Sequence, residues 1–242
     1  MSITVIINSH HTSHLIDKVR ASVKDFDEVI ECDMEQDRNY AISSARNEWV
    51  LVIDDDELVP TALRRYLNHY IRKKHTADGL YIPRRNYMMD RFMKNKYPDY
   101  RLRFMRRDNA TWEQGLHNEP VINGEIGKIP SNRQELALVH LPHTISMMVS
   151  RLNQHTTEEM DEPGKQKVTV ASISFKPLAR FINAYLFKGA FRYGVPGFIS
   201  AFDEAVYETF KQAKRYEETV KFKLPADVEE GDRNADVDDF VK

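Results

Sequence analysis

Trp49 to Val59, WVLVIDDDELV, is the stretch on which the reading of this chain turns. Trp49 to Ile53 are apolar, and Asp54, Asp55, Asp56 and Glu57 follow as an unbroken run of acids. A near-continuous aliphatic run of this length reads as a parallel strand buried on both faces. The acids then fall just past its carboxyl end, where open α/β sheets bind their ligands. Pro60 opens a helix over TALRRYLNHYIRKK, in which Leu63, Tyr66, Leu67, Tyr70 and Ile71 recur at spacings of three and four. Adjacent carboxylates repel, and at an effective dielectric of ~20 two charges roughly 5 Å apart cost about 3 kcal/mol. Two remedies stay open. The acids can face water and favour the positive N-terminus of the next helix. Alternatively a hard cation, Mg²⁺ or Mn²⁺, can hold them and share phosphate oxygens with a substrate.

Upstream, SITVII (Ser2 to Ile7) is a β-branched first strand and Asn8, Ser9, His10 and His11 form its loop. Ser13 is placed to cap a helix through about Val23, and EVIEC (Glu28 to Cys32) makes a second strand ending at Asp33. MEQDRNYAISSARNE then carries Ala41 and Ala45 on one helical face. Alternating strands and helices predict an α/β fold with a mostly parallel sheet. Right-handed crossovers would gather Asn8, Asp33 and the acidic run at one sheet edge.

Downstream, Ala77-Asp78-Gly79 marks a turn before a strand LYIPRR, and residues 86–96 read as a loop or short helix. YRLRFMRR alternates basic and apolar residues, which predicts a half-exposed strand. His117, Glu119, His140 and His143 follow in GLHNEP and LVHLPH. Thr144 onward is helical in pattern, Asp161 to Lys167 is a break, and a long aromatic and basic stretch follows, interrupted by GVPG. That stretch is either a helical pair packed on the sheet or a membrane-surface element over residues 175–202. The tail from residue 225 is acidic, poor in apolar residues and expected to be disordered.

The chain has 242 residues, 30% of them charged, and a formal net charge of −2, so no whole-protein field draws nucleic acid and no nucleic-acid partner is expected. The single cysteine, Cys32, fits a reducing compartment. Neither a signal peptide nor a run of roughly 18 apolar residues is evident, so a cytoplasmic protein is expected, possible placement being on the inner face of the membrane.

Several of these residues fall in an ordered series that resembles the family 2 glycosyltransferases of the GT-A fold, in the branch near lipopolysaccharide-core β-glycosyltransferases. Ala41, Ala45, Trp49, Leu51, Asp54, Asp56 and Glu57 match its A-x-x-x-A-x-x-x-W-x-L-x-x-D-x-D-E segment. Tyr97, Pro98, Asp99, Arg101, Leu102, Phe104, Arg106 and Arg107 answer to the next. Trp112, Leu116, His117 and Glu119, then Leu138 and His140, continue the series. Pro177, Phe181, Tyr185, Lys188, Gly189, Tyr193, Gly194 and Gly197 close it. The resemblance implies a GT-A, Rossmann-like domain over residues 1–160 with a helical extension over 161–224. It implies inverting sugar transfer from a nucleotide-diphosphate donor to a glycan or lipid-linked acceptor.

Asp54, Asp56 and His140 are then the metal ligands. Asn8, Asp33, Asp54 and an arginine from Arg103, Arg106 and Arg107 hold the donor. Glu119 is the general base, with Asp99 in reserve. Two departures bear on this: Asp33 runs almost directly into the alanine-bearing helix, where the family has a further helix and strand, and Asn118 separates His117 from Glu119. They motivate a rival reading, a non-catalytic relative with a degenerate donor site. A Mg²⁺-dependent phosphotransferase is a third reading, but the sequence has no P-loop.

Overall fold

Among the described residues, the alternation of β-branched runs with amphipathic stretches builds a nine-stranded mixed sheet flanked by helices, with a separate two-stranded pair. The computed structural model describes residues 2–9, 14–33, 38–73, 77–112, 119–159 and 168–220. In chain order these form β1 (Ile3–Ser9), α1 (Ile16–Val23), β2 (Glu28–Asp33), α2 (Arg38–Ser44) and β3 (Trp49–Asp54). Next come β4 (Glu57–Leu58), α3 (Thr61–Arg72), β5 (Gly79–Met88), β6 (Arg91–Phe92) and β7 (Asp99–Arg106). They are followed by β8 (Ala110–Trp112), β9 (Pro120–Ile122), β10 (Ile126–Lys128) and β11 (Leu138–His140). The helices α4 (Ile145–Glu158), α5 (Val170–Ile182) and α6 (Gly194–Thr219) complete the described chain. His10, His11, Ser13, His117, the break over 161–167 and the acidic tail lie outside the described residues.

The sheet runs β2-β1-β3-β7-β5-β11-β4, with β10 and β6 paired to β5. β2, β1, β3, β5 and β11 point one way, while β7 and β4 oppose them. The predicted α/β sheet is therefore present, with β7 as an antiparallel insertion. β3 is buried from Trp49 through Ile53, as a strand covered on both faces must be. On one face Ile3, Val5, Leu51 and Ile53 meet Leu63 and Leu67 of α3. On the other, Ile6, Val50 and Val52 meet Ala41, Ile42 and Ala45. Trp49 stacks on Phe104 at 4.8 Å and meets Tyr70 edge-on at 6.0 Å, tying β3, β7 and α3 together.

Two local expectations are corrected. YRLRFMRR is not half-exposed: β7 lies between β3 and β5, and Leu102 through Met105 are buried, Arg103 included. A guanidinium is tolerated there because carboxylates meet it, as described below. Residues 86–96, expected as a loop or short helix, hold a short helix only at Lys94–Lys96 and are otherwise largely strand. β5 continues to Met88 and folds back as β6, and a short 3-10 turn spans Lys94–Lys96.

α4 belongs to both parts of the molecule. Lys214 of α6 donates to the Asn153 carbonyl (2.6 Å) and to Thr156 (2.9 Å), while Arg151 of the same helix reaches the sheet. α5 and α6 pair through a π turn at Asn183–Phe187 and a 3-10 turn at Ala190–Tyr193.

Candidate active site

The site is made by strand ends. In register, Asn8 of β1 stands beside Asp54 of β3, and Ser9 stands beside Asp33 of β2. The predicted gathering of Asn8, Asp33 and the acids at one edge is thus what parallel pairing produces. After Asp54 the chain makes a tight turn and returns as β4, which pairs antiparallel with β11 so that Glu57 lies opposite His140. The Glu57 carboxylate closes that turn by accepting the Asp54 amide at 3.1 Å. Leu141 N–H donates to the Asp56 carbonyl at 2.8 Å. Three of the acids do not face solvent: Asp55, Asp56 and Glu57 are at most 4% exposed, while the Asp54 side chain is 33% exposed.

Their mutual repulsion is answered largely by fixed cations. Arg103 donates to Asp54 and reaches Glu57 at 3.3 Å. Arg84 donates to Glu57 at 2.8 Å and grips Asp99 at 2.7 and 3.0 Å. Asp56 faces His143 Nε2 at 2.9 Å, His140 Nε2 at 3.5 Å and Arg151 at 3.0 Å. Burial would push the Asp56 carboxyl upward, but the hydrogen bonds from His140 and His143 and the charge of Arg151 hold it well below the ordinary range. Asp54 follows the same pattern. Burial and the neighbouring Asp56 charge raise it, while Arg103, Arg84 and the Asn8 amide leave it lowered.

The residues present fit a divalent cation. Asp56 Oδ1 is buried and accepts no hydrogen bond from the described residues, beside two histidine rings. Ligand atoms of Asp56, His140 and His143 lie within 4.8 Å of one another, as do those of Asp54, Asp56 and Glu57. Carboxylate and imidazole together suit Mn²⁺, and carboxylates alone suit Mg²⁺. Asn8 Oδ1 is likewise buried without a partner, next to Asp54, to which its Nδ2 donates at 3.4 Å.

The remaining sequence-predicted residues divide. Arg103 reaches the acids, but Arg106 and Arg107 do not. β7 runs antiparallel to β3, so Arg106 pairs with Trp49, five residues before Asp54 and roughly 16 Å down the strand. There Arg106 meets Glu48 and Asp78, and Arg107 meets Asp108 and the Ala45 carbonyl. A donor-phosphate role for those two is withdrawn. Arg84, Glu57, His143 and Arg151 enter the site instead. For His143 the signal was the repeated histidine in LVHLPH; for Arg84 and Arg151 no local pattern pointed there.

Asp99 is an anchor more than a base. Arg84 and Asn86 occupy its Oδ2, and Arg101 stands 3.3 Å from its Oδ1. Burial would raise its carboxyl, but Arg84, the Asn86 hydrogen bond and Arg101 leave it below the ordinary value, a poor proton acceptor. A folded-state value below the unfolded one, about 3.9, adds stability that is full above that pH and is lost as pH falls through the folded value. Urea titrations below about pH 4 are therefore expected to show a shallower loss of stability in Asp99→Asn than in the parent. Glu119 accepts from the Tyr81 hydroxyl at 3.0 Å and is half-buried. Among the described residues it has no recorded contact with the acidic turn.

With this geometry in place, likeness to known proteins becomes informative. The chain is 27% identical over 188 residues to the lipopolysaccharide core biosynthesis glycosyltransferase LpsC of Rhizobium meliloti (strain 1021), covering 74% of this chain and 68% of the relative. The chain is thus similar to a lipopolysaccharide core glycosyltransferase. No protein-family model matches it. Among solved structures, it is similar to S. aureus TarS 1-349 at 12% identity and a TM-score of 0.40, over 93% of this chain and 95% of that one. It is also similar to the mannosyltransferase PcManGT of Pyrobaculum calidifontis, solved with GDP-Man and Mn²⁺. There the identity is 13% and the TM-score 0.48, over 90% of this chain and 88% of that one.

Proposed function

We propose that this protein is an inverting glycosyltransferase of surface polysaccharide or lipopolysaccharide synthesis. It moves a sugar from a nucleotide-diphosphate donor to a glycan or lipid-linked acceptor with the help of a divalent cation. The observation that carries the reading is the turn Asp54 to Glu57, folded so that a buried, unpartnered Asp56 oxygen lies beside His140 and His143 at the strand ends. Kinship with the Rhizobium enzyme supports the same class.

In this reading Asp56 and His140, with Asp54 and His143, hold Mg²⁺ or Mn²⁺. When bound, the cation supplies Lewis-acid neutralisation of charge on the leaving diphosphate. Asn8 and Asp33 meet the nucleotide. Arg103 and Arg84 hold Asp54 and Glu57 in place through their ion pairs, so the turn keeps its shape as the donor enters. An acceptor hydroxyl loses its proton to Glu119 and its oxygen attacks the anomeric carbon opposite the diphosphate. The carbon–oxygen bond to the diphosphate breaks with its electron pair leaving on the nucleotide, and the single displacement inverts configuration. Glu119→Gln is expected to lower kcat by about a hundredfold or more with donor affinity unchanged. Full activity in that variant would remove Glu119 from the mechanism.

A second reading is favoured by one observation: Arg103 already neutralises Asp54, so this carboxylate is satisfied without a metal. A non-catalytic relative would bind a glycan or nucleotide and transfer nothing. Calorimetric titration of UDP, GDP and their sugar conjugates, each with and without Mn²⁺, separates the two. Metal-dependent binding supports the enzyme, and an empty panel supports the non-catalytic relative.

A further inference from the structure

The turn between α5 and α6 is built to expose apolar side chains. Gly189 and Gly194 take positive φ values, 72° and 62°, which lets the chain reverse tightly. At Gly197 a Cβ would come within 1.9 Å of the Ala190 carbonyl oxygen, so only glycine lets α6 lie this close to the turn. Half-buried Phe181 and Tyr185 pack with Phe198, itself 47% exposed, at ring-centroid distances of 5.3 to 5.7 Å. Outside, Phe187 is 81% exposed, Val195 68%, Leu186 54% and Phe191 46%. Single exposed apolar residues are ordinary, but four large ones within a single tight turn mark a docking surface.

Charge identifies what docks there. From Val168 to Phe202 the charged residues are Lys176, Arg180, Lys188 and Arg192, all cationic, in a chain whose net charge is −2. The Arg192 guanidinium lies 5.4 Å over the Phe191 ring, and Lys188 reaches back to Glu204 at 3.2 Å. Apolar tips flanked by long cationic side chains match an interface with lipid acyl chains below and anionic headgroups beside them. The turn is also tied to the segment that leads into the acidic site. Tyr193 OH accepts from the Asn95 amide at 3.1 Å, and Lys96 faces Glu204 at 3.8 Å. Three residues beyond Lys96, Asp99 holds Arg84 against Glu57.

We propose that the α5–α6 turn is a membrane-surface anchor. It seats Leu186, Phe187, Phe191 and Val195 in an anionic bilayer, with Lys188 and Arg192 at headgroup level. The anchoring itself follows from the surface; its purpose, holding the site beside a lipid-borne acceptor, rests on the glycosyltransferase reading. No helix among the described residues is long and apolar enough to cross a membrane.

The test is flotation of the full chain with phosphatidylcholine vesicles, with and without phosphatidylglycerol. The parent is expected to float with the anionic vesicles and to release as salt rises. Leu186→Ser/Phe187→Ser, checked for helix content by circular dichroism, is expected to partition about tenfold or more weakly, and Lys188→Gln/Arg192→Gln to lose the preference for anionic lipid. A parent that stays in solution, or a serine variant that floats as well as the parent, overturns the anchor. So does a solution dimer that the serine pair dissociates without any vesicle binding, since a second copy would then own the surface. Nucleotide titrations on the same variants keep the two readings apart, because donor binding needs no vesicle.

Discussion

Asp56→Ala is expected to erase Mn²⁺-dependent donor binding and to lower turnover by about 100- to 1,000-fold, with little loss of fold. Asp56 is the one acid of the turn that faces two histidines, and its Oδ1 has no hydrogen-bond partner among the described residues. Its removal leaves Arg151, whose side chain is 36% exposed, able to reach water. The fold therefore tolerates the change while the cation loses its central ligand. The measurement is calorimetric titration of the nucleotide-sugar that the parent binds, with and without Mn²⁺, alongside thermal unfolding. Metal-dependent affinity surviving in Asp56→Ala would sink the proposed metal site.

Glu57→Ala is expected to behave in the opposite way, unfolding the protein more than it disables chemistry. The Glu57 side chain is fully buried between Arg84 and Arg103, whose side chains are only 12% and 10% exposed. Truncation leaves two guanidiniums facing a hole, and breaking a buried pair of this kind costs about 3–5 kcal/mol. The Asp54 amide loses its acceptor as well. Glu57→Gln keeps that acceptor and the packing, so it should recover part of the loss. Urea unfolding at neutral pH reads both values. A midpoint unchanged in Glu57→Ala would mean that the arginines find other partners and that the turn is not held as described.

The contrast between these neighbours shows where sequence reasoning ends. Four consecutive acids look alike in the chain, and a cation was one of two general answers to their repulsion. Folding back as β4 separates them: Glu57 turns inward to Arg84 and Arg103, while Asp56 turns toward β11 and α4. The arginines illustrate the same limit. Arg103, Arg106 and Arg107 are equivalent in YRLRFMRR, yet only Arg103 reaches Asp54, because an antiparallel β7 carries each later residue further from the acidic end of β3.

The sequence by itself determined the α/β alternation, the burial of Trp49 to Ile53 and the meeting of Asn8, Asp33 and Asp54 at one edge. These follow from hydrophobic periodicity and from parallel pairing, which repeats one register across neighbouring strands. It also carried the glycosyltransferase resemblance, in an ordered series of short motifs. Tertiary structure alone decided which cations neutralise which acids, that Asp99 anchors Arg84, and that His143 and Arg151 join His140 at Asp56. Those partners come from strands and a helix far apart in the chain. Their meeting depends on strand direction and on where a two-residue strand turns back, and no local pattern records either.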